Sequence, residues 1–252
     1  MYQEITFKMI KKIFNIIRKE KPKITFWSVI DGLEKIVPVL PAKEVIPDWW
    51  KNAEKFVDNS LKDKGTVKNC PSFPEYLSQG YVVPLWCDLN INVQKDKCEW
   101  TTTDKIFNCE FHTDNQYKNY LPEYAKNNVA TVLKPDCPWR VKTSDGYSVM
   151  QLPLYYDYNS IFEVLPGVIW SDIYHELNQQ MIIKKYGEFF IKRGTPLAVY
   201  FPYKRENLDF EIQGPNEINK RWEYETYAMV RTKFRGAYKI QQNITKKCPF
   251  KI

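Results

Sequence analysis

The chain has 252 residues, a formal net charge of +7 and a mean hydropathy of −0.51. An all-β or α+β fold of this length closes as one domain that buries about three quarters of its unfolded surface, so no disulfide or metal staple is required. No apolar run reaches the roughly 18 residues of a membrane span, and the positive charge is lysine accompanied by abundant Asn, Ile and Tyr, as AT-rich coding would produce, which argues against a nucleic-acid partner.

Residues 4–20 carry the clearest helical pattern. Phe7, Ile10, Phe14 and Ile17 recur at helical spacing among Lys8, Lys11, Lys12 and Arg18, which makes residues 1–23 a basic amphipathic helical extension. The interrupting charges, with no small-residue cleavage site after them, do not fit a secretory signal. The remainder, 24–252, is expected to be a single β-rich domain.

Residues 24–30 read as a strand, followed by a loop punctuated by Pro38, Pro41 and Pro47. Asp48 is a candidate N-cap for a short helix bearing Trp49, Trp50 and Phe56. Residues 80–87 form an apolar strand whose Pro84 belongs at an edge or a bulge, because it has no N–H for a ladder. Residues 89–111 alternate as a hairpin turning at 94–97, and 115–127 suit a short helix or a loop. Residues 139–143 and 147–152 flank Asp145 and Gly146, a strong hairpin signal. Further strands are expected at 161–165, 168–170, 189–191 and 197–203, the last two joined by a turn with Gly194. A helical pattern returns from 216 to about 241. The fold class is therefore mainly β, with α+β character at the margins: a β-sandwich or jelly-roll-like core with an N-terminal and a C-terminal helix.

Several stretches of this sequence resemble one family. They are residues 41–51, 66–71, 80–86, His112 with Gln116, 138–148, 166–172 and 191–205, which together span roughly residues 24 to 240. The chain resembles an uncharacterised family of tailed-phage proteins, notably from marine T4-like phages and their relatives. The resemblance implies a phage-encoded protein acting in the host bacterial cytoplasm or carried in the virion, not secreted, and it implies no activity. The family pattern has no fixed counterpart of His175.

Two constellations are candidates for function. The chain has 2 His, and His112, Asp114 and His175 can be written as the two-histidine, one-carboxylate set of mononuclear non-haem Fe(II) oxygenases; His112 and Asp114 share one strand face. Such an enzyme would need 2-oxoglutarate gripped by a basic residue, for which Lys184 or Lys185 offers itself. Against this stand local roles: a backbone or Gln116 partner for His112, and an Asx-turn or N-cap for Asp114. The second constellation is aromatic. Tyr155, Tyr156 and Tyr158, with Tyr147, Trp170 and Tyr174, would line a ligand groove or a subunit contact, or would simply pack the sheets.

No G-x-S-x-G elbow or phosphate-cradling glycine loop is present. The six cysteines form no C-x-x-C pair, so reduced, buried thiols are expected. The expectation is a structural or interaction protein, without catalytic activity or cofactor, that presents aromatic surfaces to other phage or host chains or to its own copies. The iron oxygenase and a nucleic-acid-associated factor are the alternatives.

Overall fold

The computed structural model describes residues 21–57, 65–70, 72–95, 97–154, 156–158, 160–232, 238–239 and 242–243. The helix expected at 4–20 lies outside them, as do Cys248 and Tyr155.

The fold is mainly β. Its strands are β1 (Ile24–Ser28), β2 (Leu40–Pro41), β3 (Tyr81–Pro84), β4 (Leu89–Val93), β5 (Cys98–Thr102), β6 (Cys109–His112) and β7 (Thr131–Pro135). They continue with β8 (Trp139–Thr143), β9 (Tyr147–Pro153), β10 (Phe162–Val164), β11 (Gly167–Ile169), β12 (Met181–Ile183), β13 (Gly187–Ile191) and β14 (Pro196–Lys204). The helices are α1 (Leu33–Ile36), α2 (Asp48–Asn52), α3 (Ser72–Ser78), α4 (Glu123–Lys126) and the longer α5 (Glu217–Thr232), which falls within the expected C-terminal helix.

Antiparallel pairing divides the strands among four sheets, ordered β1-β8, β10-β12-β7-β6, β11-β9-β14-β3-β2 and β13-β4-β5. The two-layer stacking of a sandwich or jelly roll is an expectation of the sequence pattern that this pairing does not itself establish. All four sheets contribute to one core, which includes Val141, Leu133, Met181, Val149, Ile91 and Tyr200.

The five-stranded sheet positions the candidate site, because β14 is apolar on both faces. Ala198 and Tyr200 point into the main core, while Val199 joins Ala42 and Val82 in a second cluster against which Leu152, Leu154 and Phe201 pack. Period-two alternation of apolar residues on both faces requires cover on both sides. The second cover comes from the 3₁₀ turn Ala42–Glu44 with α2 and α3, which packs against that turn.

Local signals explain several details. Pro84 pairs with Pro196 where the β3–β14 register shifts, the bulge its missing N–H calls for. The β4–β5 hairpin closes on the hydrogen bond from Gln94 N–H to the Lys97 carbonyl at 2.7 Å. Residues beyond Thr102 leave that hairpin, and β6 joins another sheet beside β7. In α2 the cap position belongs to Pro47, not Asp48; Asp48 sits in the first turn and pairs with Lys51 at 3.0 Å. Phe56 lies beyond the helix, in an isolated bridge with Gly65.

The hairpin expected from Asp145 and Gly146 is corrected. β8 pairs with β1, and β9 pairs with β14 and β11. The turn exists, closed by Tyr147 N–H to the Ser144 carbonyl at 3.1 Å with Gly146 at φ 77. It is a corner between two sheets, since β8 and β9 belong to different ones, and the Gly146 N–H is held by the Asp172 carboxylate.

Candidate functional site

The structure separates the aromatic residues singled out in the sequence into two places. Tyr156 and Tyr158 follow β9 in a loop over the second face of the five-stranded sheet. There they meet Trp49 from α2 and Phe73 and Tyr76 from α3. Tyr156 lies 4.2 Å between ring centroids from Phe73 and 5.8 Å from Tyr76, and Tyr158 lies 5.8 Å from Trp49. Phe201 of β14 closes the group, 5.8 Å from Tyr76.

Trp49, Tyr76, Tyr156, Tyr158 and Phe201 line a cavity of about 590 Å³, floored by Ala42, Val82, Val199 and Leu154, with Phe73 backing Tyr156 from outside it. That volume falls within the roughly 300–1,000 Å³ of small-ligand pockets, which share this apolar, aromatic character. The charged side chains in its lining are two carboxylates, Asp48 and Asp157.

Tyr156 is the one non-glycine residue with positive φ among those described, at 74°. A bulky side chain is rarely found in that conformation and is held there only when its surroundings impose it. The Trp49 indole N–H donates to the Tyr156 carbonyl at 3.0 Å, and the Phe73 and Tyr76 rings bracket the phenol. Binding energy is therefore not spent on ordering this wall of the cavity.

Tyr147 and Trp170 belong to the other place, where β14 ends. Arg205 donates to both oxygens of Asp172, to the Tyr147 carbonyl at 3.2 Å and to Ser148 Oγ at 2.8 Å. Its guanidinium lies 4.6 Å from the centroid of the half-exposed Trp170 ring. Tyr174 is bonded locally to Glu176 and Asn178. These groups lock a strand end rather than line a groove.

Arg205, followed by the Gly146 N–H, holds the Asp172 carboxyl down at about 2 against an ordinary 3.8. A carboxyl that binds its proton less readily folded than unfolded stabilises the fold above its ordinary pKa and loses that contribution as pH falls through the folded value. Wild-type protein should therefore lose Tm more steeply between about pH 4 and pH 2 than Asp172→Asn, in paired thermal melts. Parallel profiles would contradict it.

The three metal-candidate residues do not form a set. Among the described residues, no group of three or more His, Cys, Asp and Glu side chains is able to hold a metal ion. His112 ends β6 opposite Val132, and its Nε2 is buried without a hydrogen-bond partner in the described structure. His175 Nδ1 is 3.1 Å from the Val141 carbonyl, and its ring packs edge-on against Trp27. Asp114 opens a 3₁₀ turn whose cap position is Thr113, and Gln116 accepts from the Thr113 N–H at 2.8 Å instead of serving His112. Of the two lysines considered for 2-oxoglutarate, Lys184 is paired with Glu163 at 3.1 Å.

Cys70, Cys87, Cys98, Cys109 and Cys137 are free thiols. Burial pushes Cys109 and Cys137 up to about 12 and raises Cys87 and Cys98, so these four are poor nucleophiles. No helix among the described residues is long and apolar enough to cross a membrane.

Trp49, Tyr76 and Phe201, with Phe73 behind Tyr156, are the site residues the sequence pattern did not single out. The adjacent tryptophans Trp49 and Trp50 on a short helix after Pro47 were the available signal, because such a helix has little core of its own to fill. Comparison with family models, curated proteins and solved structures finds no match for the chain.

Proposed function

We propose that the chain is a non-catalytic interaction protein, phage-encoded as its sequence resemblance implies, which receives an apolar side chain of a partner protein in the aromatic cavity. The observation that carries this is the cavity of about 590 Å³ walled by Trp49, Tyr76, Tyr156 and Tyr158, with Tyr156 fixed at φ 74 by its neighbours. Rigid aromatic rings around a concave apolar floor are the usual receptor for a buried anchor residue at a protein interface. Of the two carboxylates in the lining, Asp48 is already paired with Lys51, so Asp157 sets the polarity of the partner: an extended segment with an aromatic residue next to a basic one.

The probes are end-blocked peptides containing Trp-Lys, Trp-Glu or Ala-Lys in a common neutral frame, titrated into the full chain by calorimetry. The Trp-Lys peptide should bind saturably and more tightly than the other two. Trp49→Ala should weaken it by roughly 30-fold, the scale of a hot-spot residue. Equal binding of all three peptides, or no response to Trp49→Ala in a variant with wild-type circular dichroism, would reject the reading. Near-stoichiometric iron in purified protein, lost in His112→Ala, would replace it with the oxygenase.

A further inference from the structure

Beyond the cavity, a different segment has the properties of an exchanged strand. Residues 205–216 form neither helix nor strand between β14 and α5. The root of the segment is fixed: Arg205 N–H donates to the Gly146 carbonyl at 2.8 Å, and its side chain is clamped on Asp172. Past that root, Leu208, Phe210 and Ile212 are 85%, 87% and 83% exposed, the three most exposed large apolar side chains among the described residues. They alternate with Asp209 and Glu211, the period of a strand with one apolar face. An unaccompanied apolar strand face in water is an interaction surface by default.

Charge identifies the occupant. The segment carries Glu206, Asp209 and Glu211 and no Lys or Arg between Arg205 and Lys220, in a chain of net charge +7. Asp209 and Glu211 make no ion pair among the described residues, whereas Glu206 is paired with Lys204. An acidic arm on a basic protein is complementary to another copy of that protein.

The receiving edge is β1. It pairs with β8 alone, so its outer side is open among the described residues. It has five residues, none charged; Lys21 and Lys23 precede it, and Lys142 of β8 stands opposite Thr25. Lys23, Thr25 and Lys142 share one face of this edge, and the partly buried Ile24 and Phe26 form the other, packed against the main core.

We propose that residues 208–212 add as a strand to β1 of a second copy of this chain, with Asp209 and Glu211 on the face of Lys23, Thr25 and Lys142, and Leu208, Phe210 and Ile212 on the opposite face, where they extend the partly buried Ile24 and Phe26. Each copy carries both the arm and the edge, so reciprocal exchange closes a symmetric assembly.

Sedimentation velocity of the full chain over a concentration series tests this. Wild type should sediment as a closed oligomer. The triple variant Leu208→Ser, Phe210→Ser, Ile212→Ser should sediment as a monomer with unchanged circular dichroism. Lys23→Glu with Lys142→Glu should weaken association by roughly tenfold or more, and adding Asp209→Lys with Glu211→Lys should restore it. A monomeric wild type would overturn the proposal, as would a serine variant that keeps the wild-type oligomer or charge reversals without mutual rescue. Peptide binding in the aromatic cavity is read separately and stands or falls independently of these outcomes.

Discussion

Gly80→Ala should cost about 3 kcal/mol or more of folding stability, far beyond what one methyl group suggests. Gly80 sits at φ +83, and a Cβ placed there would lie 2.6 Å from the Tyr200 carbonyl oxygen. The left-handed conformation alone costs a non-glycine residue about 1–2 kcal/mol. The clash adds a cost of overpacking, about 1–3 kcal/mol, because its partner is backbone at the centre of the five-stranded sheet and has no rotamer to yield. Gly32→Ala and Gly194→Ala separate the two contributions, since both glycines have positive φ and nothing within 4 Å of an added Cβ. Those controls should lose only the conformational part, about 1–2 kcal/mol. Urea titrations should show a much lower midpoint for Gly80→Ala at an unchanged slope. Equal midpoints for the three variants would mean that the sheet relaxes around the methyl group. The Gly80 carbonyl also accepts from Ala42 N–H at 3.0 Å. The turn that sets Ala42 in the floor of the aromatic cavity thus hangs on the same residue, and Gly80→Ala should weaken peptide binding along with stability.

Where one strand's own residues decided its structure, the sequence pattern was sufficient. β14 was visible as an apolar run after a glycine turn, the β4–β5 hairpin as alternation around a polar turn, and Pro84 as a bulge. What failed depended on partners remote in the chain. Asp145 and Gly146 specify a turn, but whether its arms pair depends on β1 and β14, which outcompete the hairpin by supplying partners to β8 and β9. β7 was missed because Thr131 to Pro135 does not alternate, with Val132 and Leu133 apolar side by side, and ends in proline; it is a strand because β6 and β12 flank it. The site behaves the same way. Tyr156 and Tyr158 stood out as aromatic, yet the wall opposite is Trp49, 107 residues away through the Trp49–Tyr156 hydrogen bond, and no local pattern joins them. His112 and Asp114 illustrate the reverse: a spacing that suits a metal was produced by a strand end followed by a 3₁₀ turn.

The second large effect should come from the polar pair at the heart of the core. Tyr200 is fully buried, and its hydroxyl donates to Gln151 Oε1 at 2.7 Å. The Gln151 amide N–H group in turn donates to the Leu165 carbonyl at 2.8 Å and the Asn178 carbonyl at 3.2 Å, tying β9 to the segments on either side of β11. Burial first, and then the nearby Cys137, push the Tyr200 phenol well above its ordinary pKa, so it remains a donor at any pH at which the protein folds. Tyr200→Phe should cost about 1–3 kcal/mol, because it leaves a buried amide oxygen without a donor while changing little in volume. Gln151→Leu should cost roughly 2–4 kcal/mol, since it abandons the phenol and removes the donor to two carbonyls. The double variant is the decisive measurement. The phenol–amide bond is lost in either single variant and cannot be lost twice, so the combined cost should fall below the sum by about 1 kcal/mol or more. Chemical denaturation of the four proteins gives that coupling directly, and strictly additive losses would show that the two side chains are satisfied independently of each other.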